Sequence, residues 1–182
     1  MPLPHLPAEI STERLLIRAF TGGDAEFVLA LHQEPELLRF IPSAQLVDLA
    51  GAWEWIERAG RDLPPGWGWR CVTRHDGTPV GTVVLKGIPA SSAYPSNDVE
   101  IGWRQRAEHG GRGYATEAAA GLLAAAHAAG VDRVVAVTDP ANTASQAVCR
   151  RIGMTALGRS DVYYDRELAL FEAVRGVAQH CR

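Results

Sequence analysis

Residues Glu100–Ala118 read EIGWRQRAEHGGRGYATEA, and their reading decides the fold. The stretch opens as a strand, with Val99, Ile101 and Trp103 on one face and Glu100 and Gly102 on the other. It passes through Gly110, Gly111, Arg112 and Gly113 and closes as a helix from Tyr114 to about Ala129, stopped by Gly130. Ala118, Ala119, Leu122, Ala125, Ala126 and Ala129 give that helix a slim face suited to packing on a sheet. A strand, a glycine turn and a helix start together favour phosphate. The first amides of a helix lack internal partners, the macrodipole makes that end positive, and glycine keeps side chains out of the way. Arg112, with Arg104 and Arg106 just before it, adds charge able to pair with phosphate oxygens.

A short glycine motif alone is equally a turn. The Walker pattern is absent, and the dinucleotide fingerprint fails because Thr116 stands where its third glycine belongs. Nucleotide hydrolysis and hydride transfer therefore lose ground.

Upstream, Glu13–Phe20 reads as a strand, Thr21–Asp24 as a capping turn, and Ala25–His32 as a helix. A helical region follows Pro35, and another spans roughly Leu46–Arg61, ending at Leu63-Pro64-Pro65-Gly66. Trp67–Thr73, Val80–Lys86 and Asp98–Trp103 read as three strands, the first two joined at His75–Thr78. Downstream come a strand at Arg133–Thr138, a helix at Asn142–Ile152, and strands near Met154–Gly158 and Leu168–Val174. A meander followed by strand–helix–strand predicts a mixed α/β sheet, with the strands near 99 and 134 parallel. Trp67 and Trp69 are expected to share a core face, and one of Trp53 and Trp55 to face a cleft.

EIGWRQRAEHGGRGYATEA, followed by DPANTASQAVCRRIGM at 139–154, resembles the two signature regions of the GCN5-related N-acetyltransferase (GNAT) superfamily. The branch it is most similar to holds the ribosomal-protein N-terminal acetyltransferases, and TERLLIRAF and GTVVLKG also suit that branch. The resemblance covers nearly the whole chain. It implies one domain over 1–182 with a cofactor-binding core at about 80–160. It also implies an α/β (α+β) fold whose six- to seven-stranded, mostly antiparallel sheet splays at the cofactor site, with about four helices.

The resemblance further implies acetyl-coenzyme A as co-substrate. The family's pyrophosphate loop, Q/R-x-x-G-x-G/A, falls on Gly110, Gly111, Arg112, Gly113, Tyr114 and Ala115. Gly113 and Ala115 match its small positions, and Gly110 departs from the usual Gln or Arg. The amides of Gly111 to Thr116 would cradle phosphates, and the pantetheine arm would follow the backbone of Trp103, Arg104 and Gln105. Asn142 and Ser145 match the second region. Asn142 serves as a helix cap, as a pantetheine contact, or as both.

Acetyl transfer to an amine needs a neutral amine, a stabilised carbonyl oxygen and a thiolate able to leave. Glu100 is the first candidate for the base, its alternative role being a strand carboxylate paired with an arginine. Glu117, one turn into the helix, is a weaker candidate that fits better as complement to the helix dipole or as support for the loop. The family's acid Tyr is replaced by Cys149, which reads as a packed thiol. Ser145 is then the nearest donor for the sulfur, with Tyr163 or Tyr164 approaching from the last hairpin. The acceptor site is expected between the Pro89–Pro95 loop and the helices before Arg61.

The chain has 182 residues, 47% apolar and 21% charged, and a net charge of -3, so neither nucleic acid nor anionic lipid is expected as a partner. No apolar run is long enough to span a bilayer, and the N-terminus lacks the pattern of a signal peptide, which makes a cytoplasmic location the default. Cys71, Cys149 and Cys181 and six scattered histidines indicate neither a disulfide framework nor a metal site. The expected function is an N-acetyltransferase acting on a primary amine, of a protein N-terminus or a small molecule, by direct attack in a ternary complex. The alternative is a catalytically inactive coenzyme A-binding regulatory module. An exposed final strand would allow a homodimer.

Overall fold

The computed structural model describes residues 3–176; Cys181 lies outside them. The strands, in chain order, are β1 (Ile10–Ser11), β2 (Leu15–Arg18), β3 (Gly68–Arg74), β4 (Pro79–Gly87), β5 (Val99–Gln105), β6 (Arg133–Thr138), β7 (Thr155–Ser160) and β8 (Leu168–Val174). The helices are α1 (Ala25–Leu31), α2 (Pro35–Phe40), α3 (Leu49–Arg58), α4 (Tyr114–Ala128) and α5 (Thr143–Arg151). The eight strands form one mixed sheet in the order β1-β2-β3-β4-β5-β6-β8-β7. Every neighbouring pair is antiparallel except β5–β6. This is the expected mixed α/β sheet, with the two-residue β1 as an extra edge. The final strand is not an edge: β8 lies between β6 and β7, so β7 holds that position and the expected exposed last strand is corrected.

The two faces carry separate cores. On one, Ile17, Val83, Leu85, Val99 and Ile101 pack against Ala118, Ala119 and Leu122 of α4 and Val148 and Cys149 of α5. The alanines let α4 lie close to the sheet, so the strand before it and the helix start after it are held as one unit. On the other face, Phe27, Val28 and Leu31 of α1 and Ala52 of α3 cover Cys71. Asp24 anchors this layer: Arg18 Nη1 and Nη2 donate to its two oxygens, both at 2.8 Å, and Thr21 N donates at 2.7 Å.

Trp67 and Trp69 do not share a face. Gly68 has φ +85°, a left-handed backbone that breaks the period-two alternation. Trp67 is buried in the α4-side core, whereas Trp69 turns to Trp55 on the other side, ring centroids 5.8 Å apart. Trp53 is 46% exposed, while Trp55 packs on Phe20 and His32.

Candidate active site

The parallel strands β5 and β6 pair only through Val99↔Val134 and Glu100↔Val135. Beyond Glu100, β5 continues to Gln105 paired with β4 alone, and β6 continues to Thr138 paired with β8 alone. The sheet therefore forks at Glu100. A cavity of about 470 Å³ occupies the fork, walled by β5, by Ala136, Val137 and Thr138 of β6, and by Asp139, Asn142, Ser145 and Cys149. Its far side extends to Leu37 and Phe40 of α2, Ile41, and Tyr164. Of the helices before Arg61, α2 lines it. The Pro89–Pro95 loop instead packs on the chain around Tyr163, where Ser91 N donates to Val162 O at 2.9 Å.

Glu100 is 9% exposed and faces the cavity. The Tyr164 hydroxyl donates to its Oε2 at 2.5 Å, and Lys86 Nζ lies 3.5 Å from the same oxygen. Lys86 also donates to the Tyr164 hydroxyl at 3.1 Å. Burial, reinforced by the Glu100 charge, pushes the Tyr164 phenol well above its usual range, so it is a fixed donor. The alternative weighed for Glu100 is thus partly realised, with a lysine rather than an arginine as the cation. Tyr163 points elsewhere, to Asp98 Oδ2 at 2.5 Å.

Asn142 is the N-cap of α5, its Oδ1 accepting from Ser145 N at 3.0 Å, and it also lines the cavity. Its cap geometry and a ligand contact are therefore compatible. The Ser145 hydroxyl has no partner among the described residues. Cys149 is 1% exposed, and burial pushes its thiol up to about 12, the protonation of a packing group.

At the far end of β5 the glycine run turns into α4. Gly111 and Gly113 have φ +72° and +78°, and Gly113 is the N-cap of α4. Among the described residues the amides of Gly111, Arg112, Gly113, Tyr114 and Thr116 have no hydrogen-bond partner. Ala115 N donates to Gln105 Oε1 at 3.2 Å, and Gln105 Nε2 donates to His109 O. Gln105 thus braces the loop with its side chain, a role not read from the sequence. Glu117 supports the loop as expected. Its Oε1 accepts from the Thr12 hydroxyl at 2.6 Å and Arg14 N at 2.8 Å, and its Oε2 from Arg14 Nε at 2.6 Å. Burial opposes ionisation of Glu117, but these donors hold its carboxyl below the usual range.

The expected phosphate-facing arginines divide. Arg112 makes no ion pair with any described residue and stays exposed at the loop. Arg106 is taken by Glu34 at 2.7 Å and Glu108 at 3.4 Å. The Arg104 side chain turns to His32 and Trp69 and lines the cavity, so any share it has in a cofactor site is left to its backbone. His32 and Trp69 were not singled out as site residues. Burial, with the Arg104 charge adding to it, pushes the His32 imidazole down to about 3.

The overall fold is shared with solved acetyltransferases. An acetyltransferase of the GNAT family from Bacillus anthracis has a TM-score of 0.74 at 23% identity, covering 91% of this chain and 98% of that one. The ribosomal-protein alpha-N-acetyltransferase RimL, solved with coenzyme A, has a TM-score of 0.75 at 16% identity, covering 95% of this chain and 99% of that one. In sequence, the N-acetyltransferase YnaD of Bacillus subtilis is 26% identical over 150 residues, 82% of this chain and 84% of YnaD. The family model described as "Acetyltransferase (GNAT) domain" matches residues 14–155. The chain belongs to the GNAT family, and it is an acetyl-coenzyme A-dependent acyltransferase.

Proposed function

We propose that the protein transfers the acetyl group of acetyl-coenzyme A to a primary amine by direct attack in a ternary complex. The observation that carries this reading is the fork of β5 and β6 at Glu100. It leaves a cavity with a carboxylate on one wall and Asn142 and Ser145 on the other.

The cofactor assignment draws on fit. The unpartnered amides of Gly111, Arg112, Gly113, Tyr114 and Thr116 offer donors to a pyrophosphate, with Gly110 and Ala115 completing the loop and the exposed Arg112 adding charge. The bared backbone of Trp103, Arg104 and Gln105, unpaired on the side facing β6, offers hydrogen bonds to an extended amide chain. Asn142 and Ser145 face the same gap.

The co-substrate supplies an activated thioester carbonyl. The Glu100 carboxylate attracts the ammonium form of the acceptor and takes its proton. The amine lone pair would then form the C–N bond, the C–S bond would break with its electron pair on sulfur, and the second proton of the attacking nitrogen would pass to that sulfur to give the thiol. The Ser145 hydroxyl, on the cavity wall, would be a hydrogen-bond donor for the sulfur. No enzyme nucleophile is required, and the buried, protonated Cys149 is not one.

Thiol release from acetyl-coenzyme A across an amine panel tests this, with Glu100→Gln as control. Turnover that falls about 100-fold in the variant supports the reading. Thermal stabilisation by acetyl-coenzyme A with no turnover on any amine of the panel would overturn the amine-transfer reading.

A further inference from the structure

Three cationic side chains line the cavity: Lys86, Arg104 and Arg166. Lys86 is paired with Glu100 at 3.5 Å and Arg166 with Asp139 at 3.1 Å. Arg104 forms no ion pair with any described residue, and its Nε is buried without an acceptor. What holds it is uncharged. Arg104 Nη1 donates to His32 Nε2 at 2.5 Å, and the guanidinium sits 4.3 Å from the centroid of the Trp69 ring. An arginine can only donate, so His32 Nε2 is the acceptor and the proton of the neutral imidazole is on Nδ1. Trp55 closes the box, edge-on to His32 at 4.6 Å.

A neutral acceptor and a π face fix the direction of a charge without cancelling it. Burying a cation without an ion-pair partner in contact is costly; Glu100 acts on this guanidinium only from beyond ion-pair distance, and the head lines the cavity in which an acceptor is to be bound. Its placement relative to Glu100 is also defined. Glu100, Gly102 and Arg104 share one face of β5, and Gly102 leaves the space between them free of a side chain. Their Cα atoms are about 13 Å apart by strand rise. Arg104 leans back over Trp69, whose partner Val84 pairs with Gly102, which brings its guanidinium nearer to Glu100.

We propose that Arg104 is the anion-recognition residue of the acceptor site, so that the acceptor is a primary amine whose chain also carries a carboxylate. The amine end lies toward Glu100 and the carboxylate end toward Arg104, with His32 and Trp69 positioning the guanidinium. This assignment rests on the N-acetyltransferase reading above and adds the substrate class to it.

The experiment compares acceptors matched except for the carboxylate: 6-aminohexanoate against hexylamine, and the C-terminally amidated dipeptide Ser-Glu amide against Ser-Gln amide. The expected result is a kcat/KM preference of roughly tenfold or more for at least one anionic member. Arg104→Gln reduces that ratio to about one, and Arg104→Lys keeps part of it. Because the ratio is read, a general loss of cofactor binding or folded protein cancels, and the thermal midpoint of each variant is recorded alongside. Turnover without preference for either anionic member overturns the assignment and leaves the N-acetyltransferase standing. So does a preference that survives Arg104→Gln unchanged. No turnover on any of the four amines overturns the assignment together with the activity on which it rests.

Discussion

The hydroxyl of Tyr164 donates to Glu100 Oε2 across 2.5 Å, although 64 residues separate the two in the chain. Tyr164 reaches it from a turn in which it adopts φ +60°, a left-handed conformation that a bulky residue enters at a cost. The contact fixes one carboxylate oxygen and leaves the other to the cavity. On the reading proposed above, this orients the group that receives the proton of the amine.

Tyr164→Phe keeps the ring and removes the donor. It is expected to lower kcat/KM for the best amine about tenfold, less than the loss expected for Glu100→Gln. Steady-state kinetics of both single variants and the double variant check this. Because the tyrosine acts through the carboxylate, the double variant should be no slower than Glu100→Gln alone. Additive losses would remove the positioning role.

Gly113 caps α4 at φ +78°, and a Cβ there would meet only Arg14 Nη2, at 3.4 Å. Space is therefore not the constraint; the dihedral is. Gly113→Ala is expected to cost about 1–2 kcal/mol in denaturant unfolding. It is also expected to raise the KM for acetyl-coenzyme A more than the KM for the amine, because the loop amides lose their direction. Equal effects on the two KM values would show that the loop does not hold the cofactor.

Much of this was legible in the sequence for a definite reason. β6 and β8 carry short, nearly continuous apolar runs, and α4 is bounded by glycines, so Arg133–Thr138 and Leu168–Val174 emerge with the bounds read from the pattern. Parallel pairing of β5 with β6 was legible from the helical connection between them, whereas the fork came only with the family resemblance. What pattern does not encode is contact across sequence distance. Tyr164 on Glu100 and His32 on Arg104 join residues 64 and 72 apart, and nothing local marks either. Unbroken alternation through Gly68 puts Trp69 on the face of Trp67, and the Gly68 φ of +85° reverses that. β1 has two residues, too few for any periodicity to register.

Asp24 predicts the acid limit of stability. Burial alone would raise its pKa, but the hydrogen bonds from Arg18 and Thr21 outweigh it, so its carboxyl is held below the usual range. A folded value below the unfolded one, about 3.9, gives stability that is complete above roughly pH 4 and lost as pH falls through the folded value. Asp24→Asn should cost about 3 kcal/mol at neutral pH by leaving Arg18 unpaired. Thermal midpoints of the two proteins should converge as pH falls below 4. A constant gap down to pH 2.5 would contradict the linkage.

His32 acts in a separate window and with its own sign. It is fully buried, and its folded value is about 3 against 6.5 when free. Between those values the unfolded chain binds a proton that the native imidazole refuses, so stability rises with pH from 3 to about 6.5 and is lost on acidification. Glutamine can present an acceptor oxygen where Nε2 stands and cannot titrate. His32→Gln should therefore keep the Arg104 contact and flatten the decline in thermal midpoint between pH 6.5 and 4.5, above the range in which Asp24 titrates. In the wild-type protein the His32 ring resonances should stay fixed from pH 8 to 4.5. A ring that titrates near 6.5 would mean that the imidazole takes a proton beside Arg104, and the neutral acceptor that orients the guanidinium would be lost.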